Sequence, residues 1–392
     1  MVRCRILAMQ RYAAIAACAI VWAVATLNTN TEQPDFAVLL AGLGAAVIGV
    51  LLLTTRMSPW VALAYVTIAG AALRLQQPII VDSDVWKSII EGNAILFGGH
   101  DPYALCCQTT DPPGSPLPYL PGALLYGLMQ NGWWHGLAQF DRPAGIAVVL
   151  AIAALARFYG PGWAALAGSI YAISVLSIWR AVDGSNDTAL AALLAIGVVA
   201  LVYARATPDA KPRWTLALYA ISALFFGWAI GFKALAWPVY PFVVRAIPAE
   251  WRRQWVGVSL GVFAVLCVPF FAWNPAAFVH QIVLGFTYHT NAYGLSIWNV
   301  LDHYAPGATA RLGIVPTVVA IAAVLGAAYL LWRRKPATLG EGLAQSGALL
   351  AVIVAVPRWS SSAYYTYAFA IIGLAVATFP ALDRQAGDQR SE

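Results

Sequence analysis

The sequence predicts an all-α polytopic membrane protein, and three observations carry that reading. The chain of 392 residues is 61% hydrophobic and only 10% charged, with a mean hydropathy of +0.71. A soluble domain carries about 25% charged residues, so this composition could not solvate a globular surface. Apolar runs approaching the ~20 residues needed to span hydrocarbon recur along the whole length. Arg and Lys gather at the ends of those runs, as the positive-inside bias requires. The net charge of +6 is therefore a topological signal. With no basic stripe interleaved with aromatics and no nucleic-acid motif, no nucleic-acid partner is expected.

The elements follow in order. Arg3, Arg5 and Arg11 precede an apolar run at Tyr12–Leu27, read as a signal anchor retained as the first span. Further spans are expected at Phe36–Leu53, Pro59–Leu73, Tyr119–Gln139, Ala144–Phe158, Gly162–Trp179 and Thr188–Tyr203. They continue at Leu216–Gly231, Leu235–Val244, Val256–Phe271, Leu312–Trp332, Gly342–Val356 and Ala363–Phe379. Arg56, Arg205, Lys211, Arg213, Arg245, Arg252, Arg253 and Arg333–Lys335 mark cytoplasmic loops. The segments at about 75–118, 181–187, 272–311 and 357–362 then face outward from the cytoplasmic membrane, within one transmembrane domain covering 1–392.

Counting every candidate leaves Arg384 and Arg390 outside, and the parity breaks between Tyr119 and Trp179. One of the three segments there is expected to be a half-span or re-entrant helix, a geometry tolerated where it lines a cavity. The expectation is about twelve spans with both termini cytoplasmic. Sixteen Trp and 17 Tyr fit interfacial belts and, in loops, sugar-stacking platforms. The five cysteines show no spaced metal pattern. Cys106 and Cys107, adjacent in a polar loop, leave a disulfide open.

Only 17 residues are acidic, and several fall in the island Val81–Lys87 and its continuation Gly98–Tyr103. Carboxylates at a membrane boundary in so uncharged a chain read as a functional site. Between them, Ile89, Ile90, Ala94, Leu96 and Phe97 recur near helical spacing, which predicts an amphipathic surface helix ended by Gly98-Gly99. Asp82 or Asp84 acting only as its N-cap is the competing reading.

An outward Asp after an early span, then a surface helix ending Gly-x-x-Asp-Pro-Tyr, resembles the GT-C glycosyltransferases. The pattern is most similar to the bacterial polyprenyl-phosphate-mannose-dependent mannosyltransferases of the phosphatidylinositol-mannoside type. Tyr119-Leu120-Pro121-Gly122 resembles the family's start to the next helix, and Gly184-Ser185-Asn186 its polar Gly/Asn element. Gly231–Pro238 resembles its Lys-then-Pro element, and Asn291–Leu301 its late Ser-Leu loop. The likeness runs from about Asp82 to Lys335 in short motifs. Two spans precede the usual first one, and Trp86 or Lys87 stands where the family has Tyr.

The resemblance implies a GT-C-like bundle that transfers a sugar, mannose by family likeness alone, from a polyprenyl-phosphate donor to a glycolipid or glycan acceptor among membrane lipids. Arabinose or glucose would use the same logic. Such transfer needs a base for the acceptor hydroxyl and a cation or hydrogen bonds for the departing phosphate. Asp84 is the candidate base, with Asp82 in reserve; a single base opposite the leaving group gives inversion. Lys233, at the outer end of a span, is the candidate phosphate ligand, against the reading of a snorkelling lysine. His289, Arg180 and Arg358 are further donor-binding candidates, as are Asn186 and Tyr103; His280 shares the late loop. Asp183 and Asp187 bracket Gly184-Ser185-Asn186, where sugar binding and helix capping compete. Asp82-Ser83-Asp84 also spells the metal-holding Asp-x-Asp of nucleotide-sugar enzymes; a lipid-phosphate leaving group need not have a metal, so a divalent metal is left open but not predicted, and no other cofactor is expected. The rival functions are a lipid-linked-sugar transporter or flippase, whose ionisable groups would lie near the midplane, and an O-antigen-type ligase.

Overall fold

The computed structural model describes residues 58–79, 83–110, 113–133, 137–206, 212–287, 293–294 and 296–378. The expected spans Tyr12–Leu27 and Phe36–Leu53 lie outside these residues, as do Asp82, His289, Arg384 and Arg390.

The helices are α1 (Pro59–Gln76), α2 (Asp84–Phe97), α3 (Pro102–Leu105), α4 (Pro121–Trp133), α5 (Leu137–Ala154), α6 (Ala156–Tyr159), α7 (Pro161–Tyr171), α8 (Val175–Trp179), α9 (Asp187–Ala206) and α10 (Pro212–Phe232). A 3-10 turn at Ala234–Ala236 leads to α11 (Tyr240–Ala246), α12 (Ala249–Trp273), α13 (Pro275–Thr287), α14 (Ile297–Tyr304), α15 (Ala308–Arg311), α16 (Val315–Arg333), α17 (Leu339–Ala355) and α18 (Ser362–Thr378). Among the described residues, β structure is confined to a parallel pair of two-residue strands, β1 (Tyr293–Gly294) and β2 (Trp359–Ser360).

Asp141–Tyr159, Asp187–Ala206, Arg213–Phe232, Ala249–Trp273 and Val315–Arg333 are long and apolar enough to cross a membrane, and the chain is a multi-pass membrane protein. Helix α9 is central: 67% of its apolar window is buried, against 11% for α16 at the rim. A helix apolar all round is buried all round, and Ala189, Ala191, Ala192 and Ala195 let α5, α10 and α18 approach it closely. Around this centre α12 packs on α10, α17 on α18, and α1 and α18 on α7.

One end of the bundle is basic. Arg205 donates to the Ala246 carbonyl, Arg245 to that of Trp332, and Arg252 to those of Arg245 and Ile247. The opposite end gathers residues 84–110, 113–119, 180–187, 233 and 358–364, and carries the site.

Three segments depart from their expected form. Gly162–Trp179 is broken into α7 and α8, and Arg74 occupies the break. This wholly buried guanidinium donates to the carbonyls of Ala172 (2.6 Å) and Tyr171 (3.4 Å), and to Gly70 in its own helix (2.9 Å). A helix C-terminus leaves its last carbonyls unpaired and partly negative, so a cation is the fitting cap. A Cβ at Gly145 would stand 2.7 Å from Arg74 Nε, so the glycine makes the room.

The second departure is α4, whose 13 residues give about 20 Å of rise, short of the ~30 Å of hydrocarbon. Its start, where Trp228 Nε1 donates to the Gly122 carbonyl, and the head of α5, where Tyr126 bonds Asp141, both lie at the site end. This is the segment of the ambiguous trio that folds back. The third is Leu235–Val244, which is a 3-10 turn and a seven-residue helix rather than one span. Pro238 and Pro241 remove the backbone donors that a continuous helix needs.

The expected loop from Ala272 to Arg311 is also folded, as α13, β1, α14 and α15. Over the site end lies α2, the amphipathic helix anticipated after Val81. Its N-cap is Ser83, whose hydroxyl accepts from the Val85 amide, and Gly98 ends it. Asp101 caps α3 by accepting from the Tyr103 amide. Glu91 clamps the next turn, accepting from the amides of Gln108 (2.5 Å) and Thr109 (2.7 Å) and from the Thr109 hydroxyl. Cys106 and Cys107 are joined as a disulfide, the bond that the sequence left open.

Replacing Arg74 with Met should leave the α7 end carbonyls unpaired and cost about 2–4 kcal/mol, from two or three lost charge-assisted bonds; the check is the thermal midpoint of the detergent-purified protein. For Glu91, partial burial raises the pKa, but the bonds from Thr109 and the Gln108 and Thr109 amides outweigh it, and the net shift is downward. A lowered folded value means the clamp contributes fully above the unfolded value of about 4.3 and is lost as pH falls through the folded one. Hydrogen exchange at the Gln108 and Thr109 amides should therefore accelerate on acidification beyond its intrinsic pH dependence, and Glu91→Gln should abolish that excess.

Candidate functional site

Two neighbouring antiparallel helices of nearly equal length, α9 and α10 with 20 and 21 residues, build the centre of the site. Asp187 opens the first and Lys233 directly follows the second, so the two side chains meet although 46 positions separate them in sequence. Lys233 Nζ lies 2.8 Å from Asp187 Oδ1, with side-chain exposures of 8% and 1%. Each charge suits its place: a carboxylate at a helix N-terminus and an ammonium at a C-terminus complement the backbone dipoles.

Lys233 Nζ also donates to Asn186 Oδ1 at 3.4 Å. It sits 5.5 Å from the centre of the Tyr119 ring and 5.2 Å from that of Tyr364, within cation–π range of both. Burial pushes the Tyr119 hydroxyl well above the usual phenol range, and Tyr364, Asp187 and Asp84 add to the rise.

The turn that delivers Asn186 and Asp187 is held from two sides. Asp183 Oδ1 accepts from the Ser185 amide and its other oxygen pairs with Arg180, while Thr188 Oγ1 donates to the Arg180 carbonyl. Gly184 (φ 78°) and Asn186 (φ 57°) are both left-handed, a region that Gly and Asn tolerate best. From below, Asp141 Oδ2 accepts from the Asn186 amide (3.3 Å) and its Oδ1 from Tyr126 Oη (3.1 Å).

Asp84 belongs to the rim. Its helix reaches the turn through Trp86, against which a Cβ at Gly184 would stand at 3.2 Å. The Asp84 side chain is 59% exposed, with Lys87 Nζ 4.0 Å away. Since Ser83 is the N-cap, the Asp84 carboxylate is left to face solvent.

The sequence candidates thus separate. The structure brings together Lys233, Asn186 and Asp187, with Asp84 at the rim and Arg180 on the supporting turn. Arg358 lies in the segment between α17 and α18, its carbonyl accepting from Ser296 Oγ. Tyr103 is buried, its hydroxyl donating to the Tyr119 carbonyl and its ring packed on Phe270 and Phe278, so it supports the wall. His280 is exposed on α13. Asp82 and His289 lie outside the described residues.

Sequence reading missed Asp141, Tyr126 and Tyr364. A carboxylate heading an apolar span was the available signal for the first. Nothing in the local pattern marks either tyrosine.

Among the described residues, the buried centre of the site offers the Lys233 ammonium with one uncommitted hydrogen, and three buried polar atoms without a protein partner: Asp187 Oδ2, Asn186 Nδ2 and Ser185 Oγ. This mixed set of donors and acceptors suits a polar ligand. As to metals, the ligand atoms of Glu91, Cys106 and Cys107 lie within 4.8 Å of one another. The sulfurs are bonded to each other and the carboxylate holds the loop amides, so that group offers an ion no free ligand set.

No protein-family model and no curated protein matches the chain. Two crystal structures of ArnT from Cupriavidus metallidurans do match its fold. The apo structure superposes with a TM-score of 0.51 at 17% identity, covering 84% of this chain and 61% of that one. The structure bound to undecaprenyl phosphate gives 0.50 at 19% identity, covering 83% and 60%. This chain spans about three fifths of ArnT's length, and over most of its own length it has the fold of that protein, in line with the GT-C architecture that its motifs resemble.

Proposed function

We propose that this protein is a membrane glycosyltransferase that moves a sugar, mannose in this reading, from a polyprenyl-phosphate donor to a glycolipid or glycan acceptor on the outer face of the cytoplasmic membrane. The observation that carries the proposal is the buried Lys233–Asp187 pair, walled by Tyr119 and Tyr364 at the non-basic end of the bundle. An intramembrane cation at that depth is retained where it meets an anion. The fold adds support, because one of the ArnT structures holds undecaprenyl phosphate.

The step proposed is an in-line displacement. Asp84 takes the proton from the acceptor hydroxyl as its oxygen bonds to the anomeric carbon. The bond from that carbon to the phosphate oxygen breaks, the electron pair leaves with polyprenyl phosphate, and the configuration inverts. Lys233, with Asn186 Nδ2 and Ser185 Oγ as further donors, stabilises the charge growing on the departing phosphate. Asp187 holds Lys233 in place, and its free oxygen accepts from a sugar hydroxyl. Arg180, Arg358 and His289 are assigned to the phosphate's approach. Exposure of Asp84 leaves its carboxylate open to an acceptor arriving from outside.

Label transfer from radiolabelled polyprenyl-phosphate-mannose to membrane lipid extracts tests the reaction. Asp84→Asn should lower transfer by about 10²–10⁴-fold with membrane expression intact; unchanged turnover removes Asp84 from the chemistry. Passage of donor across vesicles without chemical change would instead mark a transporter.

The ion pair gives a second test. Lys233→Met alone strands a buried carboxylate and should destabilise the protein by about 3–5 kcal/mol. Adding Asp187→Asn should recover much of the stability while transfer stays absent. Recovery of transfer in that double variant would show that the cation serves only the fold.

A further inference from the structure

The eight residues of α14 present two unlike faces. Trp298 is buried, its Nε1 donating to the Val356 carbonyl, and Asn299 Nδ2 donates to the carbonyl of Gly294. Ile297, Val300, Leu301 and Tyr304 stand exposed, Tyr304 by 82%. Their spacing of i, i+3, i+4 and i+7 places them in one stripe along the helix. A contiguous apolar stripe left in water is unfavourable, and such stripes mark interaction surfaces.

The depth of α14 says what covers it. Thr309 fastens α15 beneath it, its amide donating to Asp302 Oδ1 (2.7 Å) and its hydroxyl to the Trp298 carbonyl (3.2 Å). Three residues separate α15 from α16, which has the least buried window of the five described spans. Ile314, Val315 and Val318 continue the exposed apolar surface from the start of that span. Bonds between α14 and α15 thus hold the stripe close to the start of α16, whose first residues expose apolar side chains as α14 does. Tyr304 adds the amphipathic ring favoured at the headgroup boundary.

We propose that α14 lies in the plane of the bilayer surface at the site end, with Ile297, Val300, Leu301 and Tyr304 seated among the lipid acyl chains just below the headgroups. The partner is the lipid surface itself. From there the contact reaches the site: Ser296 Oγ donates to the Arg358 carbonyl, and β1 pairs with β2. Four residues beyond Ser360 stands Tyr364, whose ring faces Lys233. The lipid surface thus seats the segment carrying one wall of the site. The inference needs only the membrane-spanning fold and is independent of the reaction proposed above.

Nitroxide labels at Val300→Cys and Tyr304→Cys, in the full chain with Cys4 and Cys18 changed to Ser, test it in phosphatidylcholine vesicles. Collision with oxygen is compared with collision with a water-soluble nickel chelate by electron paramagnetic resonance. Leu325→Cys, exposed within α16, is the lipid reference, and Lys335→Cys at the basic end is the water reference. The expected result is an oxygen-to-nickel ratio several-fold above that of position 335 and close to that of position 325. A ratio matching position 335 at both sites overturns the proposal. Any variant whose elution from size exclusion departs from wild type is replaced by Ile297→Cys, read on the same scale.

Discussion

The rest of this structure depends on one buried ion pair. Lys233 and Asp187 neutralise each other where a lone buried charge is costly; Asp187 opens α9 and Lys233 directly follows α10. Their attraction fixes the relative height of α9 and α10, because a slip of one turn moves either charge by 5.4 Å into apolar surroundings. Since α9 is the axis around which the other helices pack, the pair sets the vertical register of the bundle. Such pairs add little net stability over a well-packed apolar substitute, but they penalise wrong registers heavily. We read the pair first as a device for alignment, which the site then uses.

Alignment alone would not hold the turn between Ala181 and Asp187 in a left-handed conformation. Asp141 and Asp183 do so by accepting the amides of Asn186 and Ser185. At greater depth, Arg74 plays the matching role for the broken strut of α7 and α8, where a cation receives carbonyls. Irregular backbone inside a bundle persists only where its polar groups are met by protein or by water in a cavity. The described residues follow that rule with anions on amides and a cation on carbonyls. The same polar groups that terminate helices are the ones that shape the site.

Much of this was legible in the sequence. Hydropathy and the distribution of Arg and Lys showed the fold class and the basic end. The helix over Asp84–Phe97 was visible because Gly98 stops it and its apolar positions recur at helical spacing. Lys233 stood out as a cation at the outer end of a span, with a snorkelling lysine as the rival reading. Its partner did not, because pairing 46 positions apart depends on the equal length of two helices and an antiparallel turn. Asp141 and Arg74 were hidden for a related reason. At the head or tail of an apolar run, a charged residue reads as an interfacial anchor until packing reveals that it points inward. A half-span was anticipated among three segments, and what points to α4 is that its start and the head of α5 lie at the same end. The broken segment around Pro238 and Pro241 was misread because mean hydropathy does not register missing amide donors.

Helix α12 has a consequence of a different kind. At 25 residues it is about 37 Å long, well beyond the ~30 Å of hydrocarbon. Part of the excess is the polar first turn at the basic end, which carries Glu250, Arg252 and Arg253 and suits the headgroups, and tilt or local bilayer thickening takes up any remainder. The final turns of α12 touch protein on one side only: Phe270 meets Tyr103 and Phe271 meets Phe278, while Phe271 and Trp273 remain 45% and 49% exposed. The loop that supports Tyr119 therefore rests on a pillar whose height above the acyl chains is the difference between a fixed helix and a variable membrane. Thinner and thicker membranes present the entrance at different elevations, so hydrophobic mismatch becomes a physical variable of the site itself.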